Sequence, residues 1–100
     1  MKNPITNINK AFENRIRLGI MSILMVNEWV DFNMLKETLD LTDGNLASHA
    51  NALEKIKYIE VRKSFIGKKP NTSYAVSKLG KKAFKDHLDA LEALIKNQSM

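Results

Sequence analysis

The chain has 100 residues, 44% hydrophobic and 27% charged, with a formal net charge of +5 and no cysteine. That size and balance fit one globular domain with a modest core, and they exclude disulfides, thiolate metal sites and thiol nucleophiles. A domain this basic is drawn to phosphate backbones or anionic surfaces.

The opening Met-Lys-Asn-Pro-Ile-Thr-Asn lacks the apolar core of a signal peptide, and the longest apolar-rich run, Leu18 to Val26, is far too short to span a bilayer. The expected setting is the cytoplasm, with no membrane partner. Asn3 and Pro4 can open a helix, with proline at the first helical position. Ile5, Ile8, Phe12 and Ile16 continue at helical spacing, and Arg15 to Asn27 is the stronger segment, with Ile16, Ile20, Ile23 and Leu24 in one stripe. Residues 4–27 read equally as one helix or as two with a break near Asn14. Trp29 to Phe32 is β-prone and predicts one brief strand. Asn33 is then expected to cap a short helix, Met34 to Leu39.

Asp40-Leu41-Thr42 predicts a tight turn into a second helix. Thr42 is its N-cap and Asp43 suits the helix dipole in the first turn. Leu46, Ala50, Leu53 and Ile56 or Lys57 form its apolar stripe. The opposite face carries Asn45, Ser48, His49, Asn51, Ala52 and Lys55, which are short and mostly polar. Such a face can lie in the major groove of DNA, where base edges present donors and acceptors; it also fits an ordinary solvated helix face. Two short helices joined by about three residues make a helix-turn-helix.

Tyr58 to Phe65 and Thr72 to Val76 read as two strands, with a turn over Ile66 to Asn71 that carries Gly67, Lys68 and Lys69. Ser77 can cap a last helix, Lys78 to about Asn97. Phe84, Leu88, Leu91 and Ile95 step four-three-four along it, as in a coiled-coil seam, and Leu94 widens the stripe. The expected architecture is therefore mainly α with a small β-hairpin: a winged helix-turn-helix in a single domain over residues 1–100. Its helix-turn-helix falls at about 33–57, its wing at about 58–76, and a long C-terminal dimer helix at about 78–97.

Several segments carry a family resemblance: Phe32-Asn33-Met34-Leu35-Lys36-Glu37, Leu41-Thr42-Asp43-Gly44-Asn45-Leu46, Ser48-His49, Leu53-Glu54, Tyr58-Ile59, Gly67-Lys68-Lys69-Pro70, and Tyr74 with Ser77-Lys78-Leu79-Gly80. In order and spacing they resemble the short winged-helix transcriptional regulators related to the MarR and ArsR groups, over roughly residues 12–90. Arg15 to Met21 is similar as well. Ala50 departs from the pattern, which often has leucine there. The resemblance implies a homodimer that binds operator DNA and represses transcription.

On this reading Thr42, Asn45, Ser48, His49, Asn51 and Lys55 are the recognition-helix contacts. Asn can read adenine, while Ser and His make single bonds. Arg62, Lys63, Lys68 and Lys69 are the wing and backbone contacts, touching phosphates or the adjacent minor groove. Arg15 and Arg17 either reach phosphate or pair with a carboxylate. Phe84, Leu88, Leu91, Leu94 and Ile95 are the expected dimer interface. His49 and His87 are too few for a dedicated metal site within one chain. No cofactor is expected, and an effector would be a small molecule of unknown identity. The chain has no G-x-x-x-x-G-K phosphate loop, no H-E-x-x-H and no G-x-S-x-G, so an enzyme is not expected. The rival readings are a winged helix used for protein interaction and a non-specific architectural DNA binder.

Overall fold

The computed structural model describes residues 4–98, so the expectation for Asn3 lies outside the described residues. Two short 3-10 turns, Pro4–Asn7 and Lys10–Phe12, lead into α1 (Arg15–Met25). There follow β1 (Val30–Asp31), α2 (Phe32–Leu39), α3 (Asp43–Lys55), β2 (Ile59–Ile66), β3 (Lys69–Val76) and α4 (Lys78–Gln98). The strands form one antiparallel sheet in the order β1-β3-β2. This is a winged-helix fold with a long C-terminal helix, as the order of sequence elements implies.

The N-terminal ambiguity resolves in favour of a break. Asn14 is extended, and its side-chain oxygen accepts from the backbone N–H groups of Ile16 (2.9 Å) and Arg17 (3.1 Å). An asparagine satisfying two orphan donors starts a helix; it does not sit inside one. Asn9 performs a wider task. Its side-chain oxygen accepts from Ala11 N–H at 2.9 Å, its side-chain amide donates to the Tyr58 hydroxyl at 2.9 Å, and its backbone N–H donates to His87 Nδ1 at 3.1 Å. Phe12 packs beside it, with ring centroids 5.5 Å from Tyr58, 5.2 Å from Phe84 and 5.1 Å from His87. Residues 9–12 are thus stitched to α4 and to the exit of α3.

Four local expectations are corrected. The strand near Trp29 shrinks to Val30–Asp31, and Asp31 replaces Asn33 as the α2 cap, its Oδ1 accepting from Met34 N–H at 2.7 Å. A carboxylate suits the helix N-terminus better than a neutral amide does. The hairpin turn is Gly67-Lys68 alone, because β3 begins at Lys69, opposite Ile66. Gly67 has φ +63° while Lys68 stays at negative φ, the pattern of a II′ turn, which matches the twist of a tight hairpin. Pro70 is tolerated in β3 because β1 reaches only Ser73 and Tyr74, leaving Pro70 with one neighbouring strand. The fourth correction is Phe84. Expected on the partner-facing stripe, it is buried against Phe12 in the domain's own core.

The core joins Ile20, Met21 and Leu24 of α1 to Leu35, the α3 stripe Leu46, Ala50 and Leu53, and the sheet residues Val30, Ile59, Tyr74 and Val76. The α3 stripe stops there: Ile56 is 44% exposed, and Lys57 turns left-handed at φ 65°. Tyr58 N–H donates to the Leu53 carbonyl at 3.0 Å and Lys57 N–H to the Glu54 carbonyl at 2.9 Å, which closes the helix end.

Directly beyond, the start of α4 locks onto this exit. Ser77 N–H donates to the Tyr58 carbonyl at 3.0 Å, Ser77 Oγ donates to the Lys57 carbonyl at 2.7 Å, and Gly80 N–H donates to Ser77 Oγ at 2.9 Å. A Cβ on Gly80 would sit 2.0 Å from the Tyr58 carbonyl oxygen. Backbone cannot yield as a flexible side chain does, so Gly80→Ala should cost about 3 kcal/mol, read as a lower urea midpoint by Trp29 fluorescence.

His87 supplies a second prediction. Burial pushes its pKa below the ordinary value near 6.5, with the Glu13 carboxylate partly opposing the shift. Its Nδ1 accepts the Asn9 N–H, so protonation there removes that bond. The unfolded chain binds this proton more readily than the native one. Stability from this group is therefore complete above pH 6.5 and is lost as the pH falls through the depressed native value. Urea midpoints across pH 7.5 to about 5 should fall for the natural chain and flatten for His87→Gln.

Candidate nucleic-acid interface

The recognition face is built from the inside out. Leu46, Ala50 and Leu53 are fully buried, which turns Asn45, Ser48, Asn51, Ala52 and Lys55 outward, all exposed. Thr42 Oγ1 accepts from Asn45 N–H at 3.1 Å, so Thr42 starts the helix as expected from the sequence. Its hydroxyl is engaged with its own helix before it meets any partner. Asp43 pairs with Lys36 of α2 at 2.8 Å, tying the two helices at their turn. This is an exposed pair, and such pairs contribute well under about 1 kcal/mol.

His49 stands apart from the other residues expected on the recognition face. It is half-buried on the flank of the helix that meets α1, with Nδ1 3.2 Å from Arg17 Nη1. Arg17 Nε–H also donates to the Ala11 carbonyl at 2.6 Å. Among the described residues no carboxylate pairs with Arg17, one of the two options read from sequence; instead it links the start of α1 to α3. With Nδ1 facing a permanent cation, His49 accepts there and leaves Nε2 as its donor.

The wing leaves α3 through residues 56–58. On β2, Arg62 lies opposite Ser73 and Lys63 opposite Thr72; at the tip, Lys68 occupies the turn and Lys69 opens β3. The Arg62 guanidinium sits 4.2 Å from the centroid of the Trp29 ring. Stacking there fixes the charge while leaving its N–H edges for an anion. Sequence spacing gave no sign of this pairing, since it depends on sheet register. Residues 61–85 hold eight basic side chains and no acidic one. A continuous run of one sign, four residues on the wing and four on the first turns of α4, is an electrostatic footprint for a polyanion.

On α4, Leu88, Leu91 and Ile95 are exposed, Ile95 by 72%, and Leu94 is half-buried. Among the described residues no group of three or more His, Asp or Glu could hold a metal ion, and no helix is long and apolar enough to cross a membrane.

Comparison with known proteins agrees with this geometry. A winged helix DNA-binding domain family model matches residues 16–95. An uncharacterized protein of Methanocaldococcus jannaschii is 38% identical over 88 residues, 88% of this chain and 96% of that one. The structure of a transcriptional regulator homologue from Pyrococcus horikoshii OT3 is 31% identical, superposes with a TM-score of 0.86, and aligns over 97% of this chain and 98% of its own. NadR, solved in complex with 4-hydroxyphenylacetate, shares the fold at 16% identity, with a TM-score of 0.71 over 94% of this chain and 66% of its own. This chain belongs to the winged helix DNA-binding domain family, and transcriptional regulators are among its structural neighbours.

Proposed function

We propose that this protein is a cytoplasmic transcriptional repressor that binds a pseudo-palindromic operator as a homodimer. The observation that carries the reading is the pairing of an outward polar face on α3 with a basic wing, joined directly to its end, that carries no acidic residue beyond Glu60. Asn45, Ser48, Asn51 and Lys55 enter the major groove, with His49 at the flank offering Nε2–H to an acceptor. Arg62, Lys63, Lys68 and Lys69 hold phosphates and set the orientation. No arginine, the commonest reader of guanine, stands on the α3 face, so DNA shape carries part of the discrimination.

Dimerisation is supported by Leu88, Leu91 and Ile95, three large apolar side chains left open along one helix. Two-fold symmetry would place two α3 helices about 34 Å apart, one turn of duplex. An effector would enter the seam between protomers or the open cleft of about 620 Å³ between the first 3-10 turn and α4, lined by Thr6, Asn7, Asp86 and Asp89. NadR, a neighbour in fold, holds a small aromatic acid.

The test is a fluorescence-anisotropy titration against a pool of random duplexes at two salt concentrations, with the bound fraction sequenced. The repressor reading expects salt-dependent binding that enriches a palindromic subset. Binding without enrichment would favour an architectural role, and no binding at low salt would favour a protein partner. Lys68→Ala with Lys69→Ala should weaken every duplex alike and lower the salt slope by about one per phosphate contact removed. Leu91→Glu should leave the far-ultraviolet circular dichroism unchanged while sedimentation shifts from dimer to monomer; a dimer that survives the charge would place the interface elsewhere.

A further inference from the structure

The wing tip is more apolar than phosphate contact requires. Phe65 and Ile66 are 73% and 66% exposed, and Pro70, opposite Phe65, is exposed too. Side chains alternate across a strand, and directly paired residues share a face. Phe65 and Pro70 thus lie on the face that carries Ile59 and Val61, while Ile66 and Lys69 lie on the other. Both faces of the ribbon end in apolar side chains. A flat protein surface could cover only one of them, whereas a slot with two walls covers both. Lys63, Lys68 and Lys69 surround the tip, and no carboxylate occurs between Glu60 and Asp86, so the rims of that slot must be anionic.

A duplex groove has that form, with phosphates on both rims and stacked base pairs within. We propose that the wing tip is a wedge: Phe65, backed by Ile66 and Pro70, enters the minor groove and partly unstacks a base step, so that the protein kinks the DNA it binds. Phe, Ile and Pro are side chains that serve as such wedges elsewhere. Lys63, Lys68 and Lys69 hold the flanking phosphates and keep the tip in register. The inference rests on the DNA-binding reading and adds to it a deformation of the duplex. It also gives preference a source outside the α3 contacts, because pyrimidine–purine steps unstack more easily than others.

The experiment uses the full chain and a duplex of about 30 base pairs with several central TA steps, carrying a donor and an acceptor fluorophore at its ends. Anisotropy gives affinity and salt slope, and energy transfer gives the end-to-end distance at saturation. The natural chain is expected to shorten that distance, consistent with a kink of about 20–90°. Phe65→Ser with Ile66→Ser should bind about tenfold more weakly with an unchanged salt slope and leave the duplex straight. Phe65→Leu with Ile66→Leu should keep the bend, and Lys68→Ala with Lys69→Ala should lower the slope yet still bend at saturation. Circular dichroism of each variant checks the fold. A natural chain that binds without bending, or a serine variant that bends as well as it does, overturns the wedge and leaves the DNA reading intact. A serine variant that instead loses self-association in sedimentation makes the tip a contact between copies and overturns the wedge. A natural chain that binds no duplex overturns both readings.

Discussion

Everything on the proposed binding side depends on who receives the two carbonyls at the exit of α3. Lys57 and Tyr58 end that helix and begin the wing, and both of their carbonyls accept hydrogen bonds from Ser77, the residue that starts α4. Gly80 lets α4 come close enough for this by having no side chain to collide with Tyr58. Three elements thereby share one small backbone junction: recognition helix, wing and long helix. The left-handed Lys57 is part of the same arrangement. An L-residue there costs about 1–2 kcal/mol, and the closed hydrogen-bond pattern around it offsets the strain.

That junction gives the charges their meaning. Lysines on a free arm are common and contribute to solubility; lysines on an arm fixed at the end of a polar-faced helix are held at a set reach from it. Arg62 is fixed further by Trp29, and Arg17 by the Ala11 carbonyl and His49. Two of the cations in this region are therefore held in place by their own domain, which lowers the ordering cost of any contact they make.

What was legible in the sequence was what is local. The caps Thr42 and Ser77, the stripe Leu46-Ala50-Leu53, the turn glycine and the order of elements all follow from neighbours a few residues apart. The features that escaped are the ones settled across the chain. Strand register decided that Arg62 meets Trp29 and that Pro70 faces Phe65. Packing against Phe12, seventy-two positions away, drew Phe84 inward although its spacing matched the outer stripe. Asp31 displaced Asn33 as a cap because β1 stops where β3 ends its pairing with it. His49 looked like its polar neighbours along the helix, and only the position of α1 separates it from them.

The long helix has a mechanical consequence. With 21 residues at 1.5 Å each, α4 is a rod about 31 Å long, pinned at its first turn to the root of the wing. A tilt of about 10° at that pivot displaces the far end by about 5 Å, and the converse holds equally. The outer half of the rod, where Leu91 and Ile95 lie, is joined to the base of the hairpin by a stiff element that Phe84 and His87 also hold midway against Phe12 and Asn9. In such a small domain the axle and the arm meet at one backbone junction, so the direction of α4 and the pose of the wing cannot be adjusted independently.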